Sequence, residues 1–254
     1  SRQEQPGPPA GGEPAPAEVA ARYELAGVLG EGAYGVVVRA WLRPPFGSRR
    51  LRRTSYAVKR CVGGLEPTDE RTLLRTYREL ALLRQLRHEH VVALRDAVLP
   101  AGGRDLYLVF DLADRDLAAC IPWGELEEGG RQSLITCHLL RALKYLHAAG
   151  IVHRDVKPAN ILVDRRFHAR LCDFGLARLI GPYPRGLTEY VGMRWYRAPE
   201  LLLGSQRYSG AVDVWSLGCV AGEMALQRPL MPGIDPEEQL ALTVGCVLGR
   251  RASE

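Results

Sequence analysis

The sequence predicts an α+β chain in two parts, a small, mainly antiparallel β part followed by a larger, mainly helical one. Three observations carry that prediction. Short β-prone runs, Val36-Val37-Val38 and Tyr56-Ala57-Val58-Lys59, are separated by turn-rich or basic segments, as in neighbouring antiparallel strands. Leu73, Tyr77, Leu80 and Leu83 recur at spacings of three and four between Asp69 and Leu86, which puts them on one helical face. Ile135, Leu139, Ala142 and Leu146 repeat the pattern within 131–148, and from there on the chain reads as mainly helical.

Taken in order, residues 1–21 are dominated by Pro, Gly, Ala and Glu, a composition that cannot offset the entropy of ordering, so a disordered tail is expected. A further strand reading falls at Leu106–Phe110. Glu79 falls on the same side of the first helix as Leu83, one turn before it. The dense basic run Arg49-Arg50-Leu51-Arg52-Arg53 reads as a solvated loop between strands, with a docking or nuclear-import patch as its alternative.

Composition narrows the function. The chain has 254 residues, 46% of them hydrophobic, enough for one large domain or two small lobes. A net charge of +5 is too weak to argue for a nucleic-acid partner. No stretch approaches the roughly 18 apolar residues of a membrane span, and the amino-terminal residues do not resemble a secretory signal. The six cysteines are scattered, with no C-x-x-C pair, so neither a disulfide framework nor a zinc site is expected. A reducing compartment follows, cytoplasmic or nuclear.

The chemistry lies in an ordered set of short motifs. Gly30-Glu31-Gly32-Ala33-Tyr34-Gly35-Val36-Val37 fits G-x-G-x-x-G-x-V; glycines let backbone N–H groups approach phosphates closely. The glycines fall between two strands, and Ala57-Val58-Lys59 follows on the next one. A lysine there can neutralise phosphate oxygens, with Glu79 to hold it. His153-Arg154-Asp155-Val156-Lys157-Pro158-Ala159-Asn160 fits H-R-D-x-K-x-x-N, Asp173-Phe174-Gly175 comes thirteen residues after the Asn, and Ala198-Pro199-Glu200 closes the segment. Each tripeptide alone is weak, but the ordered set has a negligible chance rate.

From about residue 22 to its end the chain resembles the eukaryotic protein kinases, so the resemblance implies their two-lobed fold, with a small ATP-binding lobe over 22–113 and a partial larger lobe over 114–254. It also implies ATP and Mg as cofactors and protein substrates phosphorylated at Ser or Thr. It assigns proton acceptance from the substrate hydroxyl to Asp155, steadying of the γ-phosphate to Lys157, neutralisation of phosphate oxygens to Lys59, and metal binding to Asn160 and Asp173. The nucleotide is expected against Leu29, Gly30, Glu31, Gly32, Ala33, Tyr34 and Gly35, with Lys59 and Glu79 at its phosphates. Val37, Ala57, Leu108 and Leu162 would line the adenine slot and Phe110 would gate it. Asp111, Leu112 and Ala113 would offer hinge contacts, and Asp116 would reach the ribose. Asp213 is expected to cap a buried helix that anchors the catalytic loop.

Arg194-Trp195-Tyr196-Arg197-Ala198-Pro199-Glu200 is similar to the group containing cyclin-dependent and mitogen-activated kinases, which implies Ser/Thr-Pro substrates. Thr188-Glu189-Tyr190 stands at the spacing of the mitogen-activated kinase T-x-Y switch. The resemblance places Arg78, Arg154 and Arg178 around the phosphothreonine, Arg194 and Arg197 around the phosphotyrosine, and an upstream dual-specificity kinase as partner. A phosphate's charge of about −1.5 to −2 opposite such a cluster can order a loop.

The chain departs from the family pattern in two places. Met193 stands where the family has a threonine whose hydroxyl bonds the catalytic aspartate and lysine, bonds a thioether cannot make; Asp155 and Lys157 are therefore expected to be held less well. Only 54 residues follow Glu200, which leaves out its family arginine partner, so a carboxyl-terminally truncated domain is expected. Two rival readings stay open, a cyclin-dependent-like kinase and a catalytically weak pseudokinase or scaffold.

Overall fold

The computed structural model describes residues 15–32, 35–43, 54–66, 69–180 and 193–249. The chain divides into two compact units. One runs to Arg87 and takes in Val92–Ala113; the other comprises His88–Val91 and the chain from Asp114 onward.

In the first unit β1 (Tyr23–Gly32), β2 (Gly35–Leu42), β3 (Ser55–Cys61), β4 (Leu94–Val98) and β5 (Leu106–Asp111) form one sheet. All its pairs are antiparallel, in the order β1-β2-β3-β5-β4. Successive side chains of a strand point to opposite faces, and β5 buries both. Tyr107 and Val109 join Val38, Ala40, Val58 and Val98, while Leu106 and Leu108 join Cys61 in a second cluster on which Leu80 and Phe110 pack. Each such side chain contributes about 1.5–3 kcal/mol by leaving water. Leu108, expected to line a nucleotide slot, is wholly buried in that cluster.

Two sequence expectations need correction here. Composition predicts no structure through residue 21, but Ala17–Arg22 forms a short helix, α1, whose Val19 is completely buried in the cluster of Tyr23 and Val38. One apolar residue in an Ala-rich turn is enough when a sheet face receives it, and the Glu18 carboxylate adds a bond from the Ala101 N–H at 2.9 Å. Residues 1–14 lie outside the described residues.

The second correction concerns α2 (Glu70–Leu83), which starts where Asp69 accepts a bond from the Thr72 N–H. Its buried row is Thr76, Glu79, Leu82 and Leu83, whereas Tyr77 is 64% exposed. The inward face thus contains two polar residues that apolar periodicity passes over, because Glu79 is buried against a lysine rather than against hydrocarbon.

The second unit is built on α4 (Arg131–Ala148), whose Ile135, Leu139, Ala142 and Leu146 are all fully buried, as their spacing predicts. It packs on α6 (Ala211–Leu226) and on strand β9 (Ala169–Leu171). The unit also contains α3 (Leu117–Cys120), α5 (Pro199–Leu202) and α7 (Pro236–Val247), of which α5 and α7 pack on each other. The mainly helical reading misses β6 (Arg115–Asp116), β7 (Ile151–Val152), β8 (Ile161–Val163), β9 and β10 (Arg178–Leu179), which pair as β6-β8-β9 and β7-β10. Strands of two or three residues are too short to show alternation. Among the described residues no helix is long and apolar enough to cross a membrane.

One glycine is fixed by geometry. Gly35 opens β2 with φ +145°, and a Cβ there would sit 2.0 Å from the Arg60 carbonyl oxygen. Gly35→Ala is expected to destabilise the chain by at least about 2 kcal/mol, since both strain and a backbone clash must be relieved. Urea unfolding of the variant checks this; a midpoint equal to the parent's contradicts it.

Candidate active site

The first unit supplies a buried ion pair. β3 presents Lys59 and α2 presents Glu79, and Lys59 Nζ donates to Glu79 Oε1 at 2.7 Å and Oε2 at 2.9 Å. The glutamate side chain is only 4% exposed. Removing one partner of such a pair strands the other charge, at a cost of about 3–5 kcal/mol, so Glu79 holds Lys59 in one place. The pairs Gly30↔Val37, Glu31↔Val36 and Gly32↔Gly35 place the glycines at the end of the β1–β2 pairing; Ala33 and Tyr34 lie outside the described residues. Leu29 is exposed, and Val37, Ala57 and Phe110 are half-buried. Arg95 binds Asp111 through two bonds, at 2.8 Å and 2.5 Å. Ala113, also half-buried, ends the unit.

The second unit supplies the carboxylates. The loop after β7 holds Asp155 buried, with Lys157 Nζ donating to its Oδ2 at 2.8 Å. Asn160 Nδ2 donates to the same Oδ2 and to the Asp155 carbonyl, both at 2.8 Å. Two donors on one oxygen fix the carboxylate's plane. They also fix the Asn160 amide, because with Nδ2 committed to Asp155 the Oδ1 atom remains to act as an oxygen ligand. Asp173 stands at φ 59°, ψ 80° and accepts a bond from the Gly175 N–H at 3.4 Å. The Cys172 N–H donates to the Asn160 carbonyl at 2.9 Å, which ties the Asp173 segment to the Asp155 loop. A carboxylate and an amide oxygen are hard donors, the kind a magnesium ion takes. Leu162, on β8, is half-buried. Asp116 has a local role: its carboxylate caps α3, accepting from the Ala119 N–H at 2.8 Å.

Asp213 explains why the loop keeps this shape. It lies in the first turn of α6 and does not cap that helix, a correction to its expected role. Its fully buried carboxylate accepts from the His153 N–H at 2.8 Å and the Arg154 N–H at 2.7 Å. His147 Nε2 lies 2.8 Å from the same group. Arg154 sits at φ 70°, a conformation that costs on the order of 1–3 kcal/mol and persists only when its surroundings enforce it. His153 completes the frame, its Nε2 3.0 Å from the Cys172 carbonyl and its ring edge-on to Phe174.

The sequence model of the protein kinase domain matches residues 23–247, a span that includes Lys59, Glu79, Asp155, Lys157, Asn160 and Asp173. The chain belongs to the protein kinase family. Its relatives are mitogen-activated kinases: mitogen-activated protein kinase 15 of Rattus norvegicus is 43% identical over 230 residues, covering 88% of this chain and 40% of its own length. Mitogen-activated protein kinase 4 of Oryza sativa subsp. japonica is 41% identical over 235 residues, covering 91% and 61%. Mitogen-activated protein kinase 7 of Arabidopsis thaliana is 40% identical over 240 residues, covering 93% and 63%. The chain therefore spans between two fifths and two thirds of the length of these relatives.

In this kinase domain two of the expected phosphate-binding arginines meet at one tyrosine. The Arg154 guanidinium lies 5.6 Å from the centre of the Tyr208 ring. Burial pushes the Tyr208 hydroxyl up while Arg154 and Arg178 both act to lower it. Arg178 donates to the Leu176 and Ala177 carbonyls. Arg78 stands half-buried on α2, Arg194 is exposed, and Arg197 is half-buried. Thr188 and Tyr190 lie outside the described residues.

The kinase domain has one anchor that sequence reasoning missed. The Tyr196 hydroxyl donates to Glu223 Oε2 at 2.7 Å, Ser216 Oγ donates to the Tyr196 carbonyl at 2.7 Å, and Trp195 Nε1 donates to the Gly233 carbonyl at 3.1 Å. Burial pushes the Glu223 carboxyl and the Tyr196 hydroxyl upward. A lone acid inside the apolar run Gly218-Cys219-Val220-Ala221-Gly222-Glu223-Met224 was the available signal. Met193 is 48% exposed and precedes this anchored turn without a side-chain cap. Asp155 and Lys157 nonetheless bond each other, and Asn160 supplies a further bond to Asp155. Glu200 is half-buried in the first turn of α5.

Proposed function

We propose that this kinase domain transfers the γ-phosphate of ATP, with magnesium, to serine or threonine followed by proline in protein substrates. It acts as a mitogen-activated type of kinase in the cytoplasm or nucleus. The observation that carries the reading is the convergence of Lys157 and Asn160 on one oxygen of Asp155, beside the segment bearing Asp173. Phosphoryl transfer needs alignment and charge neutralisation more than covalent chemistry. Asp155 orients the substrate hydroxyl and accepts its proton. Lys157, held by Asp155, faces the transferred phosphate, and Lys59, held by Glu79, neutralises phosphate oxygens of the nucleotide. Asn160 Oδ1 and the Asp173 carboxylate would hold magnesium, which when bound supplies positive charge against the phosphates.

The activity is switched by phosphorylation of Thr188 and Tyr190 by an upstream dual-specificity kinase, with Arg78, Arg154, Arg178, Arg194 and Arg197 receiving the phosphates. This reading rests on the motif spacing and on the identity to mitogen-activated kinases. Dual phosphorylation is expected to raise turnover at least about tenfold. Comparing the doubly phosphorylated chain with a Thr188→Ala, Tyr190→Phe variant treated in the same way tests it. Equal activity of the two contradicts the switch but leaves the transfer chemistry standing.

A further inference from the structure

Four histidines meet where the loop His88–Val91, helix α4 and the start of β9 pack together. The His90 and His138 rings stack, 4.0 Å between centroids and 21° apart. His88 lies edge-on to His90 at 5.6 Å and stacks on Tyr145 of α4 at 4.9 Å. His168, just before β9, is edge-on to His138 at 5.5 Å. Among the described residues no three His, Cys, Asp or Glu side chains are grouped as metal ligands. The phosphotransfer chemistry uses none of these rings.

His90 and His138, both buried, grip the two sides of one peptide residue. His90 Nδ1 lies 3.1 Å from the Ala169 carbonyl oxygen, and the Ala169 N–H donates to His138 Nδ1 at 3.3 Å. A carbonyl only accepts, so His90 carries its proton on Nδ1. An amide N–H only donates, so His138 Nδ1 is bare and its proton is on Nε2. The backbone continues the grip: the Leu171 N–H donates to the His90 carbonyl at 2.9 Å, and Val91 pairs with Leu171. β9 ends at Leu171, two residues before Asp173.

We propose that the His90–His138 stack is an acid-released latch on β9, the strand that leads the chain into Asp173. A further proton on His138 can go only to Nδ1. There it removes the acceptor of the Ala169 N–H, sets two N–H groups against each other, and places an imidazolium against the His90 ring.

The surroundings do not offset this. From the loop, Glu89 approaches His90 Nε2 at 3.4 Å. It is shared with Arg141 of α4 at 3.8 Å, and its backbone carbonyl accepts from Arg170 of β9. Asp164 is engaged by His168 at 3.4 Å. Burial holds both His90 and His138 below the ordinary histidine range, and for His138 the adjacent His90 adds to the effect. The fold therefore keeps both rings neutral where the unfolded chain protonates them, below about pH 6.5. The state with the latch open binds more protons, so the latch weakens as pH falls. One such ring raises the opening constant by up to about tenfold per pH unit, and the pair by up to about a hundredfold.

Hydrogen exchange of the Ala169 and Leu171 amides in the full chain, corrected for the intrinsic rate, tests the proposal at pH 7.5 and 5.5. The comparison is with His138→Gln, whose neutral amide oxygen can accept the same bond. Protection in the parent is expected to fall at least tenfold on acidification, and in the variant, which keeps only His90 of the pair, to fall by a clearly smaller factor. Equal loss in both, or no loss in the parent, overturns the latch. Should the variant not fold, ring NMR titration of the parent decides: midpoints of both His90 and His138 below the ordinary histidine value of about 6.5 support the latch, and a midpoint of either at or above it overturns the latch.

Discussion

Asp155→Ala is expected to reduce phosphate transfer on the order of 10²- to 10⁴-fold, the usual cost of removing a positioned general base, while nucleotide binding changes by no more than a few fold. The asymmetry follows from the separation of tasks. Lys59 and Glu79 hold each other without Asp155, and Asp173 belongs to a different turn. Asp155 is buried and receives Lys157 and Asn160 on one oxygen, so alanine also releases both donors. Asp155→Asn keeps the volume and separates loss of the base from loss of packing. Displacement of a fluorescent ATP analogue, measured beside turnover, checks the prediction. Unchanged turnover in either variant removes Asp155 from the chemistry.

Asp213→Ala is expected to be the most destabilising single change in the second unit. Its carboxylate is fully buried and satisfies the backbone N–H groups of His153 and Arg154 as well as His147. Leaving a buried donor unsatisfied costs about 1–3 kcal/mol, so the two N–H groups alone sum to about 2–6 kcal/mol, and His147 loses its partner as well. That is a large part of the roughly 5–15 kcal/mol by which a domain is stable. Asp213→Asn retains one acceptor and should lose about half as much. Activity should fall with stability, because the left-handed Arg154 and the Asp155 that follows are shaped by these bonds. Urea unfolding of both variants checks the order; a loss below about 1 kcal/mol for alanine contradicts it.

Much of this was legible in the sequence where period or spacing encodes it. Ile135, Leu139, Ala142 and Leu146 announce α4, and all four are buried. The glycine run does close a hairpin, and Lys59 does meet Glu79. What period cannot show is burial of polar groups. Thr76 and Glu79 displace Tyr77 from the inward face of α2, and Glu223 hides in an apolar helix to receive Tyr196. Short pieces also escape: Val19 orders a turn in a stretch whose composition argues against order, and β6 to β10 are too brief to alternate. The histidine stack joins residues 90, 138 and 168, a separation across which a single sequence carries no pairing signal.

The central claim is that the residues around Asp155 transfer phosphate from ATP to a protein hydroxyl. Incubating the doubly phosphorylated full chain with γ-labelled ATP, magnesium and a Ser-Pro peptide tests it most directly, with Asp155→Ala and a Ser-Ala peptide run in parallel. The predicted result is label on the serine of the Ser-Pro peptide, little on the Ser-Ala peptide, and none above background with Asp155→Ala. No transfer by the parent to any protein or peptide substrate, with ATP and magnesium demonstrably bound, would contradict the account and leave a domain that binds partners without catalysing their phosphorylation.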